Sequence, residues 1–187
     1  MLKVNKHIIG VIFMTKTTLS GQKIAIMVAA GFDEKKFIEI QKMLMGQNAQ
    51  PKVISASTGL VQGRIGTQLG ISYPVDSLLS QTLAVDYDAL VIPSGEAHLN
   101  TLAEELHAAR IIKAFFRENM PILVQGDALN LISEIDTAIQ ADLLRHQGEI
   151  GRHNRLLWAD AETSIAKITR EFLAVCLEEQ DGDSAAA

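Results

Sequence analysis

Apolar positions along this chain follow two rhythms, and each predicts an element. Residues 23–29 read KIAIMVA, a short and nearly continuous apolar run of the kind that forms a buried strand in a parallel sheet. After Gly31, FDEKKFIEIQKMLMGQ repeats Phe37, Ile40 and Leu44 at spacings of three and four, with Asp33 and Glu34 where a helix dipole favours acids. This predicts a helix. Pro51 and KVISAS predict a second strand, and the glycines of residues 58–70 exclude regular helix and predict a loop or hairpin. Residues 77–85 form a short amphipathic piece. Residues 86–92 (DYDALVI) end in another buried strand, halted by the sharp turn Pro93, Ser94, Gly95.

From Asn100 the pattern TLAEELHAARIIKAFFREN predicts one long helix, with Leu102, Leu106, Ile111 or Ile112, and Phe115 on one face and Asn100 or Thr101 as N-cap. Pro121 opens the strand PILVQ. Gly126 then switches the chain abruptly into DALNLISEI, helical by its spacing at Leu129, Ile132 and Ile135, with Asp127 in the first turn. A helix at 140–147, a strand at 155–160 and a last helix from Ala161 to about Glu179 complete the alternation. Residues 1–20 are expected to be an extension outside the fold, 21–179 a single domain and 180–187 a flexible tail. Strands alternating with helices call for a doubly wound α/β sandwich, a parallel sheet covered on both faces. Its ligand crevice should lie at the carboxyl ends of the strands, in the turns after Ala30, Ile92 and Gln125.

Charge and composition narrow the partners. The 187 residues carry 17 basic and 22 acidic side chains, a net charge of −5, and no basic stripe that could follow a phosphate backbone, so nucleic acid is not expected. The single cysteine, Cys176, cannot form an intramolecular disulfide or a thiolate metal site. Lys3, Lys6 and the run from Ile8 to Met14 imitate the start of a signal peptide, but no small-x-small cleavage site follows and the run is too short to span a bilayer. A cytoplasmic protein without membrane contact is expected, with Met14 as an alternative start to Met1.

The three turns read AAGFDEKKF (29–37), DALVIPSGEAHL (88–99) and PILVQGDALNLI (121–132). In this order and spacing they resemble the ThiJ/PfpI family of the class I glutamine-amidotransferase-like superfamily, over roughly residues 22–176. The resemblance implies a flavodoxin-like fold. It also implies a site where an acid after the first strand, a Gly-Gly turn and a cysteine on a strand-to-helix elbow meet. Here the elbow pattern runs from Pro121 through Gln125 and places Gly126 where the nucleophile belongs, with Asp127 at the position of the PfpI-type histidine. A glycine has no side chain to attack a carbonyl, so cysteine peptidase, amidotransferase and thiol-dependent glyoxalase chemistry is not expected. Asp33 matches the family acid, and Ser94-Gly95 replaces the Gly-Gly pair, whose backbone amides could receive an anion. The Gly-Asp elbow is also similar to that of the C-terminal domain of large-subunit catalases. The family's late Thr-Ser is missing from Leu157, Trp158, Ala159, Asp160.

Candidate ligand-binding residues are therefore Asp33, Ser94, Gly95, Glu96, Gly126 and Asp127. One reading is a catalytically degenerate domain that acts as a binding, assembly or stress-related module, with a catalase among its conceivable partners. The alternative is a cysteine-independent hydrolase or lyase, acting on a small carbonyl compound or amide, in which Asp33 and Asp127 activate water. Against it, acids in first helical turns are common without any chemistry. Ser94 lacks a G-x-S-x-G elbow and reads as a turn residue. His7, His98, His107, His146 and His153 show no ligand spacing, and no metal or cofactor is expected. Glu96 reads as cleft, interface or solvated, Arg64 as a loop residue able to reach an anion, and Met27, Met43 and Met45 as core filler. The family resemblance, together with Phe115 and Phe116 taken as exposed, leads to the expectation of a homodimer or higher homo-oligomer.

Overall fold

The computed structural model describes residues 18–136, 139 and 148–178. The expected helix at 140–147, the tail and most of the N-terminal extension lie outside the described residues. Leu19, assigned by sequence to that extension, is fully buried, so the fold has begun by that residue.

The first buried run forms β1 (Lys23–Met27), followed by the two-residue β2 (Phe32–Asp33) and α1 (Glu34–Gly46). Next come β3 (Gln50–Ser55), the hairpin β4 (Leu60–Ile65) and β5 (Gln68–Pro74), and β6 (Ser77–Leu78). Two 3-10 turns, Leu79–Gln81 and Ala84–Asp86, occupy the amphipathic piece before β7 (Ala89–Ile92). Then follow α2 (Glu96–Glu104), α3 (Leu106–Arg117), β8 (Ile122–Gln125) and α4 (Ala128–Ile135). The chain closes with β9 (Ile150–His153), β10 (Leu156–Ala159) and α5 (Ile165–Leu177).

Among the described residues the main sheet runs β6-β3-β1-β7-β8-β10-β9, and every pairing in it is parallel except β9 with β10. A smaller sheet, β2-β4-β5, stands beside it. Successive strand residues point to opposite faces, so each buried strand feeds two cores. Ala25, Met27, Leu90, Ile92, Ile122 and Val124 meet Leu102, Ile111, Phe115 and Ile132 of α2, α3 and α4. Ile24, Ile26, Val91 and Leu123 meet Phe37, Ile40 and Leu44 of α1 and Ile168 and Phe172 of α5. That two-sided burial is why the strands read as unbroken apolar runs. The fold is the flavodoxin-like α/β sandwich expected.

Several local expectations need correction. The long helix from Asn100 is two helices, because Glu105 leaves the helical region at ψ 107 and its carboxylate accepts the His107 N–H at 3.0 Å, capping α3. The first of them starts earlier than Asn100 or Thr101, since Gly95 at φ 136 turns the chain straight into α2. Phe115 is fully buried and Phe116 packs partly against the same core, because the α3 stripe that carries Ile111 and Ile112 faces the sheet. Neither supports an exposed apolar surface. Met45 is 61% exposed, on the solvent side of α1, while Met27 and Met43 are core. The hairpin extends beyond Gly70 to Pro74, the antiparallel β9 was not anticipated, and α5 starts at Ile165 after a turn at 161–163.

Candidate functional site

Three turns lie at the carboxyl ends of β1, β7 and β8, and a backbone hydrogen bond joins the first two. The Asp33 N–H donates to the Ser94 carbonyl at 2.9 Å, binding the first turn to the second. This approach needs Gly95, since a Cβ there would stand 2.7 Å from the Asp33 nitrogen and 2.9 Å from the Phe32 Cα. Asp33 itself is the N-cap of α1, its Oδ1 accepting the Lys36 N–H at 3.1 Å.

At the third turn Gly126 takes φ +51, a left-handed conformation that costs glycine little, and its N–H donates to the Ala159 carbonyl at 2.8 Å. A Cβ at this position would lie 3.3 Å from Ser94 Cβ and 3.4 Å from Ala161 Cβ. The elbow is thus built, leaves little room for a side chain beside Ser94, and presents none. Asp127 precedes α4 as its N-cap residue rather than within the first turn, and makes no capping hydrogen bond. Ser94 is buried at the meeting point of the turns, and Gln125, just before the elbow, is 1% exposed with an Oε1 that has no partner among the described residues.

Two hollows open over α2. One, of about 350 Å³, is lined by Asp33, Arg64, Gly95, Glu96 and Asn100, with Gly31 at its floor. The other, of about 300 Å³, takes in Asp127, Asn130 and Glu134, and shares Glu96 and Asn100 with the first. Glu96 and Asn100, one helical turn apart, form the ridge between them. The two aspartates of the water-activation reading therefore line neighbouring hollows, not a common one. Arg64 reaches the first hollow from β4, its stem passing over Gly31, and makes no ion pair with a described residue.

His98 lies behind the site. It is fully buried, and burial pushes its pKa down to about 4, so the ring is neutral at ordinary pH. Its Nε2–H donates to the Pro93 carbonyl at 2.8 Å, leaving Nδ1 without a partner among the described residues, and the ring meets Phe32 edge-on. This histidine braces the turn that carries Ser94. Cys176 sits in α5, buried, with its thiol pushed up to about 12 chiefly by burial, and offers no nucleophile. Among the described residues no group of three or more His, Cys, Asp or Glu could hold a metal ion, and no helix is long and apolar enough to cross a membrane.

Sequence reasoning located the three turns but missed two participants. Asn100, read as an N-cap, faces both hollows, and only the earlier start of α2 puts it there. Glu34, read as an ordinary first-turn acid, is 5% exposed and anchors the hairpin through its Oε2, which accepts the Ile71 N–H at 2.8 Å. The available signal was the pair Gly63 and Gly70, whose missing side chains make room for it.

Comparison with known proteins agrees with this architecture. The chain is 29% identical over 121 residues to catalase HPII of Pseudomonas putida, a match that spans 65% of this chain and only 16% of the catalase. The ThiJ/PfpI domain protein from Brachyspira murdochii superposes with a TM-score of 0.70 at 18% identity, over 83% of this chain and 96% of that one. A two-domain protein from Anabaena variabilis, with DJ-1/ThiJ/PfpI-like and ferritin-like domains, gives the same TM-score of 0.70 at 16% identity, over 82% of this chain and 47% of that one. At such identities these structures establish the fold alone. The profile of the DJ-1/PfpI family matches residues 22–136, well over half of the sequence, and the chain belongs to that family.

Proposed function

We propose that this protein is a member of its family without a catalytic thiol, working as a binding module that holds a small polar ligand in the hollow between Asp33, Arg64, Glu96 and Asn100. One observation carries the reading: at Gly126 the elbow presents no side chain, while a hollow of about 350 Å³ opens over the two neighbouring turns, between Asp33, Arg64, Glu96 and Asn100. A site with two carboxylates, an amide and one guanidinium that makes no ion pair among the described residues can orient a polar molecule by charge without any bond-making group. Separation of Asp33 and Asp127 into two hollows weighs against a shared water between them. The match to a small part of a catalase, and the fusion to a ferritin-like domain in the Anabaena protein, support a unit that serves beside other proteins.

The test is turnover of α-oxoaldehydes, small amides and unfolded peptide by the wild type, Asp33→Ala and Asp127→Ala. No activity above buffer in three equally folded proteins is the expected result. Wild-type turnover lost in both variants would replace the binding reading with a water-activating enzyme. Thermal-shift screening of small carboxylates and amines against wild type and Arg64→Ala then identifies the ligand class: a stabilising compound whose effect vanishes in Arg64→Ala places it in this hollow.

A further inference from the structure

The hairpin brings two side chains of different kinds to the hollow. Arg64 of β4 and Leu69 of β5 stand opposite each other in the antiparallel ladder, so both point to the same side of the hairpin, with Cβ atoms about 5 Å apart. That side faces Gly31 and Ala97, and a third hollow, of about 160 Å³, lies there. Apart from Gln62 and Arg64, its lining is alanine, glycine and leucine, and it shares Gly31, Arg64 and Ala97 with the hollow of about 350 Å³. Gly31 keeps the two joined: a Cβ on it would stand 2.8 Å from Ala97 Cβ and 3.8 Å from Arg64 Cδ, and would fill the floor they share.

Charge and shape together name a ligand class. In the larger hollow Arg64 supplies a guanidinium, whose planar fork matches a carboxylate. Asp33 and Glu96 supply carboxylates and Asn100 a carboxamide oxygen, three acceptor groups for the three N–H donors of one ammonium. A ligand with a carboxylate alone would meet two like charges here, and one with an amine alone would leave the guanidinium unmatched. The smaller hollow lies below the roughly 300 Å³ at which drug-sized pockets begin, and its lining suits a short apolar chain and not a second charge.

We propose that the joined hollows bind a free α-amino acid with a small branched apolar side chain. Its carboxylate meets Arg64, its ammonium lies among Asp33, Glu96 and Asn100, and its side chain enters the smaller hollow against Leu69 and Ala97. The inference rests on the binding reading and gives that site its ligand class. The cross-strand pairing of Arg64 with Leu69 sets an anion-binding group and an apolar one side by side, as the carboxylate and side chain of a single α-carbon require.

Isothermal titration calorimetry of the full chain tests it with L-valine and three partial ligands: glycine, which lacks the apolar chain, 3-methylbutanoate, which lacks the ammonium, and 2-methylpropylamine, which lacks the carboxylate. The proteins are wild type, Arg64→Gln, Glu96→Gln, Leu69→Ser and, as control, Leu106→Ser on α3, with circular dichroism verifying that all are folded. L-valine is expected to bind wild type and the control equally, and at least tenfold more tightly than each partial ligand. Arg64→Gln and Glu96→Gln should each weaken it at least tenfold, and Leu69→Ser should bring the ratio of valine to glycine affinity toward one. A partial ligand that binds as tightly as L-valine, and is lost in Arg64→Gln, overturns the amino-acid class and leaves the hollow a binding site. L-valine binding that both charge variants leave intact overturns the placement. No binding of any of the four overturns the proposal, and the binding reading falls with it only if the wider screen of carboxylates and amines is silent too.

Discussion

The carboxylate of Glu34 fills the space that a side chain at residue 70 would need: a Cβ on Gly70 would lie 1.6 Å from Glu34 Oε2. The same oxygen accepts the Ile71 N–H at 2.8 Å, and the register of β4 against β5 shifts at this point, between Gln62 and Arg64. A buried acid at the start of α1 thus plugs an irregularity in the hairpin and holds it against the domain. Gly70→Ala should cost about 1–3 kcal/mol, as overpacking of a filled site does. In a Glu34→Ala background the same change should cost markedly less, and denaturant unfolding of the four proteins of this cycle measures the coupling. Equal costs in both backgrounds would disprove the plug.

Asp33 and Asp127 should separate by stability. Asp33→Ala removes the N-cap bond to Lys36 and should destabilise by about 1 kcal/mol. Asp127 makes no capping bond, and Asp127→Ala should stay within about 0.5 kcal/mol of wild type. Urea midpoints check both, and a loss at Asp127 as large as that at Asp33 would show that it holds something the fold needs.

His98 sets an acid limit. Its pKa is depressed to about 4 in the fold against 6.5 unfolded, so the unfolded chain binds the extra proton first as pH falls. Its contribution is complete above pH 6.5 and is lost progressively down to about pH 4, by up to about 3 kcal/mol. Unfolding free energies at pH 7.5 and 4.5 should show a smaller difference in His98→Gln than in wild type, once the altered packing is allowed for by comparing slopes and not absolute values.

Thiol labelling reports on the elbow. Cys176, buried with its thiol raised to about 12, should resist iodoacetamide in the native protein and react once unfolded. Gly126→Cys should fold at a cost of about 1–3 kcal/mol, because φ +51 strains a side chain and the Cβ contacts at 3.3 and 3.4 Å are tight. Its new thiol should label in the native state. Failure to label would mean that the elbow is closed to solvent.

Sheet and layers were legible in the apolar pattern of the chain. Runs such as residues 24–27 and 89–92 are apolar on both faces, which only a doubly covered parallel strand requires, and the spacing of Phe37, Ile40 and Leu44 could belong only to a helix lying on that sheet. Local chemistry also located the turns, because Gly95 and Gly126 mark backbone conformations that few other residues adopt. What remained illegible depends on contacts distant in sequence. Glu34 and Gly70 are 36 residues apart, and nothing near either discloses that one occupies the space of the other. The break at Glu105 replaces one helical hydrogen bond with another cap, a choice that the packing of two helices on one sheet decides and periodicity does not record. Placing Arg64 and Asn100 at one hollow, and Asp33 and Asp127 at two, likewise required the tertiary structure. A pattern along the chain reports which face of an element is buried, whereas the hollow depends on how separate elements are set against one another in space.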